Sequence, residues 1–284
     1  MKIALCNEVL QPLPFETQCR LAASLGYDGL EVAPFTLADD PMRITDAQAA
    51  AWGRMAADHG LAITGLHWLL VAPAGLCIVW GDDALRLRTA GVMERLVELC
   101  AAMGGRYLVH GSPKQRSVPP DARADQAWAR ARECLARAAG RAQACGVTYV
   151  LEPLSRKETD LVNTVEEAVR MVDEVGSPAL RTMIDCSATG QTEAEPVAAL
   201  IERWMPTGKI VHVQVNDPNR QGPGQGDMRF TPILRALQSM QRQGHYGDVI
   251  AVEPFDYRPD GPGCAARAIG YLRGILESLD HADH

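Results

Sequence analysis

Four side chains able to hold a cation or move a proton stand at comparable places in the second half of this sequence. Glu152 closes the run VTYVLE, Asp185 closes LRTMID, His212 lies inside IVHVQV and Glu253 closes DVIAVE. A lone strand-end carboxylate is most often a helix cap or a solvated loop residue. Four ligand-type side chains at equivalent points of successive units are much harder to obtain by chance. Three carboxylates facing one another in a dry mouth would repel and raise each other's pKa, and a divalent cation removes that conflict. A donor set of three oxygens and one imidazole nitrogen, without thiolate, suits Mn2+, Mg2+ or Co2+ rather than a structural zinc.

What must bring these residues to one axis is a repeat of strand then helix. Short apolar strands are predicted over 2–6, 28–33, 61–67, 106–110, 147–152, 180–185, 210–215 and 248–253. Between them lie helical patterns: one opened by Pro14 and stopped by Gly26, then 46–59, 83–103, and a stripe through Trp128, Ala131, Leu135, Ala138, Ala142 and Cys145. Later helices are expected from Thr164, whose spacing to Glu167 is that of a capping box, and over 193–204, 231–243 and 265–279. Eight units with no linker predict a single (β/α)8 TIM barrel over 1–284, with the active site at the C-terminal strand ends. An open doubly wound sheet is the rival, but it wants a glycine-rich first turn and none follows Cys6.

Composition is consistent with this. Hydrophobic residues make up 47% and charged residues 22% of 284, enough for a large core. A net charge of −7 argues against nucleic acid or an anionic membrane as partner. The start, MKIALCNEVL, is too short for a signal-peptide core, and no apolar stretch reaches the roughly 20 residues of a membrane span. Eight cysteines without a C-x-x-C pair lead us to expect a reduced, cytoplasmic protein.

The segments LEPLSRKE, MIDCSA, VHVQVNDPNRQGPGQGD and VEPF resemble the xylose isomerase-like barrels of the D-tagatose/D-psicose 3-epimerase group, and the likeness spans essentially the whole chain. It implies a ketose 3-epimerase acting on a small sugar, with Mn2+ on Glu152, Asp185, His212 and Glu253, and a homodimer or homotetramer. It also implies that Glu152 and Glu253 are the acid/base pair, working from opposite faces through a metal-held enediolate, with Glu158 and Arg220 on substrate oxygens. One departure matters: where the group has a histidine three residues after the strand-six aspartate, this chain has Ala188, which leaves the sugar open. The strand-seven segment also resembles hydroxypyruvate isomerases, which makes aldose–ketose isomerisation the alternative. The endonuclease IV group is a more distant likeness. His67 and His110 sit where it has zinc ligands, but Ala188 and the run Asp227-Met228-Arg229 lack two of its histidines. His67 and His110 are therefore expected to line the substrate pocket or to bond between strands. A barrel that binds without turnover is the other alternative, and the four strand residues argue against it.

Other features have ordinary readings beside functional ones. The apolar loop 68–80 is a lid, a dimer contact or simple packing on the rim; Lys114 and Arg116 are expected to be solvated loop charges rather than contacts to a substrate phosphate; Glu31 is expected either to touch substrate or to form a buried ion pair.

Overall fold

The computed structural model describes residues 1–247 and 249–282. Eight parallel strands close into a barrel in sequence order: β1 (Lys2–Cys6), β2 (Gly29–Val32), β3 (Ala62–Leu66), β4 (Tyr107–His110), β5 (Thr148–Leu151), β6 (Leu180–Asp185), β7 (Ile210–Val215) and β8 (Val249–Val252). The expected start of strand eight, Asp248, lies outside the described residues. The helices outside the barrel are α1 (Phe15–Leu25), α2 (Asp46–Asp58), α3 (Asp83–Ala102), α4 (Ala124–Cys145), α5 (Val165–Val175), α6 (Cys186–Thr192), α7 (Val197–Trp204), α8 (Phe230–Arg242) and α9 (Gly261–Ala282). Most ends carry the signals seen in the sequence. Gly26 closes α1 in the left-handed region, as only glycine does without cost.

Two local differences have physical causes. The predicted helix over 193–204 is cut short because Pro196 stands at its N-cap; Glu193 instead turns its Oε1 to the Val165 N–H, 2.8 Å away. At Thr164 only half of the capping box forms. The Thr164 hydroxyl accepts from Glu167 N, but the Glu167 carboxylate takes the N–H of Asn163. The 68–80 loop packs on the rim: Leu69, Leu70, Leu76, Cys77, Ile78 and Val79 are buried, and Ile78 N donates to the carbonyl of Gln115. Among the described residues, no helix is long and apolar enough to cross a membrane.

Side chains alternate between barrel interior and helix layer, as the pleat requires. Tyr107, Val109, Val150 and Met183 form an apolar plug inside, and Gly65 makes room for it: a Cβ there would lie 2.4 Å from the Tyr107 carbonyl and 2.6 Å from its ring. Gly65→Ala should therefore lower stability by about 1–3 kcal/mol through overpacking. Chemical denaturation checks this, and an unchanged midpoint would show that the ring yields freely.

Candidate active site

At the C-terminal mouth the fold brings Glu152, Asp185 and Glu253 together. One carboxylate oxygen from each lies within 4.8 Å of the others, and all three residues are buried. Gly111 leaves the space Glu152 uses, since a Cβ there would fall 1.7 Å from Glu152 Oε2. Asp185 caps α6 by accepting from Ala188 N at 2.7 Å, and its other oxygen accepts from Asn216 Nδ2 at 2.8 Å. The same Asn216 amide donates to the Glu253 carbonyl at 3.0 Å, so one side chain ties two of the acids to a common frame.

Burial raises all three carboxyl pKa values. Glu253 and Asp185 add to the rise at Glu152, whereas hydrogen bonds from Ala188 and Asn216 hold part of it back at Asp185, and His67 does so at Glu253. Oε2 of Glu253 is buried with no hydrogen-bond partner. Three desolvated acids at this separation, one with an orphaned oxygen, fit a divalent cation.

His212 is not part of this group. It pairs in register with Met183, two residues before Asp185, and so lies one layer down the barrel. Its ring stacks on Tyr107 at 4.3 Å, and its Nε2 sits 2.8 Å from Glu31 Oε2, a charge contact without hydrogen-bond alignment. The interior residue level with Asp185 is Gln214. It is fully buried; its Nε2 donates to Glu31 Oε1 at 2.6 Å and its Oε1 has no partner. The sequence carried a signal for it: in IVHVQV, His212 and Gln214 share a face, and Gln214 is the nearer of the two to the strand end.

Glu31 thus takes the ion-pair role. Burial alone would raise its carboxyl, but His212, His67 and the Tyr107 hydroxyl hold it down to about 2. His67 lies behind Glu253, with Nδ1 2.9 Å from Glu253 Oε1 and Nε2 2.9 Å from Glu8 Oε2. Burial opposes its charge, but the two carboxylates outweigh it and hold the imidazole pKa well above its usual value. His110 does not reach the cleft. It bonds the Tyr149 hydroxyl at 2.8 Å on the outer side of the sheet, the strand-bonding alternative, and burial together with Arg116 lowers its pKa to about 3. Arg116 is completely buried rather than solvated; Ile78 N donates to the carbonyl of its neighbour Gln115, and the Thr159 hydroxyl donates to its own.

Above the acids is a cavity of about 180 Å³ whose walls include Glu152, Glu253, Glu158, Arg220, Trp68 and Phe255. Glu158 and Arg220, the residues expected on substrate oxygens, both line this cavity and lie 3.9 Å apart. Arg220 adopts φ 70°, lies 4.7 Å over the Phe255 ring, and its carbonyl accepts from Phe255 N and Asp256 N. Trp68 is wedged edge-on between Phe35 and Phe255 at 5.3 and 5.8 Å. Trp68 opens the apolar 68–80 loop and Phe255 closes the run VEPF, so both aromatic wall residues lie at the edges of segments already notable in the sequence.

Residues 19–275 match the family model for xylose isomerase-like TIM barrels. The L-ribulose 3-epimerase of Mesorhizobium japonicum is 25% identical over 236 residues, which cover 83% of this chain and 75% of that protein. The D-psicose 3-epimerase of Ruminiclostridium cellulolyticum is 28% identical over 239 residues, 82% of this chain and 75% of its own. Among solved structures, an L-ribulose 3-epimerase superposes with a TM-score of 0.82 at 22% identity, covering 100% of this chain and 97% of that one. A 3-keto-D-glucoside 4-epimerase from E. coli gives 0.79 at 20% identity, over 96% and 99%. At these identities the structural likeness is one of fold.

Two outcomes follow from the geometry. Gln214→Met should weaken Mn2+ binding about 10–100-fold, whereas His212→Asn should leave it nearly unchanged, as calorimetry would show; the reverse pattern would restore His212 to the site. Second, the metal-free protein should lose stability as pH rises from about 5 to about 8. The site carboxyls and His67 have raised folded-state pKa values, so the folded chain binds more protons than the unfolded one across that window. Glu31, held low, contributes a constant amount there. Saturating Mn2+ should flatten the slope, and a thermal midpoint that climbs with pH in its absence would contradict the charge assignment.

Proposed function

The chain belongs to the xylose isomerase-like TIM-barrel family, and on that premise we propose that it is a sugar isomerase, specifically a metal-dependent ketose 3-epimerase. The observation that carries this is the placing of two buried glutamates, Glu152 and Glu253, directly after β5 and β8 on the wall of one small cleft, with Asp185 within 4.8 Å of both. The names of the relatives, L-ribulose and D-psicose 3-epimerase, support the substrate class.

Glu152, Asp185 and Glu253 would hold the cation, with the Gln214 amide oxygen as fourth donor. An all-oxygen set of this kind suits Mn2+ or Mg2+. When bound, the cation supplies Lewis-acid polarisation of a carbonyl and its neighbouring hydroxyl. Glu152 takes the proton from the carbon that bears this hydroxyl and Glu253 returns one from the other face, which inverts that centre. Removal of a proton from the terminal hydroxymethyl carbon on the other side of the carbonyl, with return to the carbonyl carbon, would give an aldose–ketose shift instead. Glu158 and Arg220 bind outer hydroxyls, while Trp68 and Phe255 cover the C–H face of the sugar and exclude water. Ala188 adds no polar group, so polarisation falls on the cation and Arg220. A reducing compartment is the companion reading, supported by the eight free cysteines; the homo-oligomer rests on the family resemblance alone.

Glu152→Gln and Glu253→Gln should each reduce solvent-deuterium exchange into the substrate by about 10²–10⁴ while leaving sugar binding nearly intact. The assay is a panel of free ketoses with hydroxypyruvate, followed by proton exchange in the presence of Mn2+. Turnover of Glu253→Gln within a few-fold of the parent would end the two-glutamate scheme, and an aldose product would move the assignment from epimerase to isomerase.

A further inference from the structure

We propose that the barrel mouth holds a second cation site beside the first, formed by Cys6, Glu8, His67 and Glu253 and suited to zinc. Cys6 ends β1, Glu8 lies in the turn directly after it, His67 follows β3 and Glu253 follows β8. One donor atom from each lies within 4.8 Å of the others, and all four residues are buried. These elements occupy the side of the barrel opposite β5 and β6, which supply Glu152 and Asp185.

The donor chemistry separates this group from the first. A thiolate, an imidazole and two carboxylates make a four-donor set that zinc takes readily, whereas the first site offers oxygen alone. The acids around the Cys6 thiol are Glu8, Glu31 and Glu253; His67 contacts the first and the last, while Glu31 is met by His212. Each of the two carboxylates that grip His67 does so with one oxygen. The other oxygens, Glu8 Oε1 and Glu253 Oε2, are buried and unpartnered.

Once bound, the ion would be held by one His67 ring nitrogen, while the other keeps its N–H on a carboxylate, the usual companion of a ligating histidine. Cys6 would ligate as the thiolate, its proton leaving to solvent. Glu253 lines the cleft, which gives the ion a way in, and its two oxygens allow it to bridge both sites. On the function proposed above, occupation of this second site would hold Glu253 fast and withdraw it from proton exchange. Zinc would then act as a brake on a manganese enzyme.

Cobalt(II) titration of the metal-free protein tests the site without recourse to activity. We expect about two equivalents bound, with a near-ultraviolet thiolate-to-cobalt charge-transfer band that an all-oxygen site cannot give. The near-isosteric Cys6→Ser should lose the band and bind about one equivalent. Asp185→Ala should lose an equivalent and keep the band. One equivalent without a thiolate band in the parent, or a band that survives Cys6→Ser, overturns the second site. Two equivalents retained in Asp185→Ala would instead refute the first site, and the proposed function with it, while leaving the second standing.

Discussion

The constraint on which this barrel turns is the burial of five carboxylates, Glu8, Glu31, Glu152, Asp185 and Glu253, around one axis. A desolvated carboxylate is tolerated only when paired, hydrogen-bonded or neutralised. The structure meets that demand differently at two depths. In the lower tier Glu31 is fully served: the Tyr107 hydroxyl at 2.5 Å, the Gln214 amide at 2.6 Å and His212 at 2.8 Å converge on it. In the upper tier the acids outnumber their partners. His67 answers for Glu8 and Glu253 together, and Glu152 and Asp185 have no cation in contact among the described residues. The deficit is confined to the tier that opens to the cleft, where an ion can enter.

The tiers are coupled through Gln214. A carboxylate without a proton accepts only, so Glu31 fixes which end of the Gln214 amide turns to it: Nε2 is committed there, and Oε1 is left buried without a partner. On the proposed function, that pairing leaves an oxygen for the unsaturated layer above. Asn216 plays the corresponding part at the rim by joining the Asp185 carboxylate to the Glu253 backbone. The site is rigid on the Asp185–Glu253 side because its holders are themselves strand ends and a helix start.

Much of this was legible in the residues. The alternation of short apolar runs with amphipathic stretches located all eight strands, and three strand-final carboxylates marked the mouth. The error at His212 came from weighing chemistry above period: an imidazole is the commoner ligand, but two residues along a strand is a full layer of the barrel interior. The short helix α6 escaped because CSATGQT has no apolar stripe. Its start is dictated by Asp185, whose role as cap cannot be told from its role as ligand by sequence spacing. Arg116 escaped for a tertiary reason, since the burial of a loop guanidinium depends on segments distant in sequence packing over it.

The two glutamates that face each other across the cleft are not electrostatic equals. Glu253 shares a hydrogen bond with a charged imidazole, and this favours its ionised form. Glu152 has only the more distant guanidinium of Arg116 in its favour, while Glu253, Asp185 and Glu158 all act against its charge. When two carboxyls in one pocket are pushed apart in this way, one becomes the natural holder of the proton and the other of the charge. In the metal-free chain that assigns the proton to Glu152. A cation shared by both would draw the two together, and reversible exchange between opposite faces of one carbon requires such a balance, because each glutamate must be able to act as the acid after the other has acted as the base.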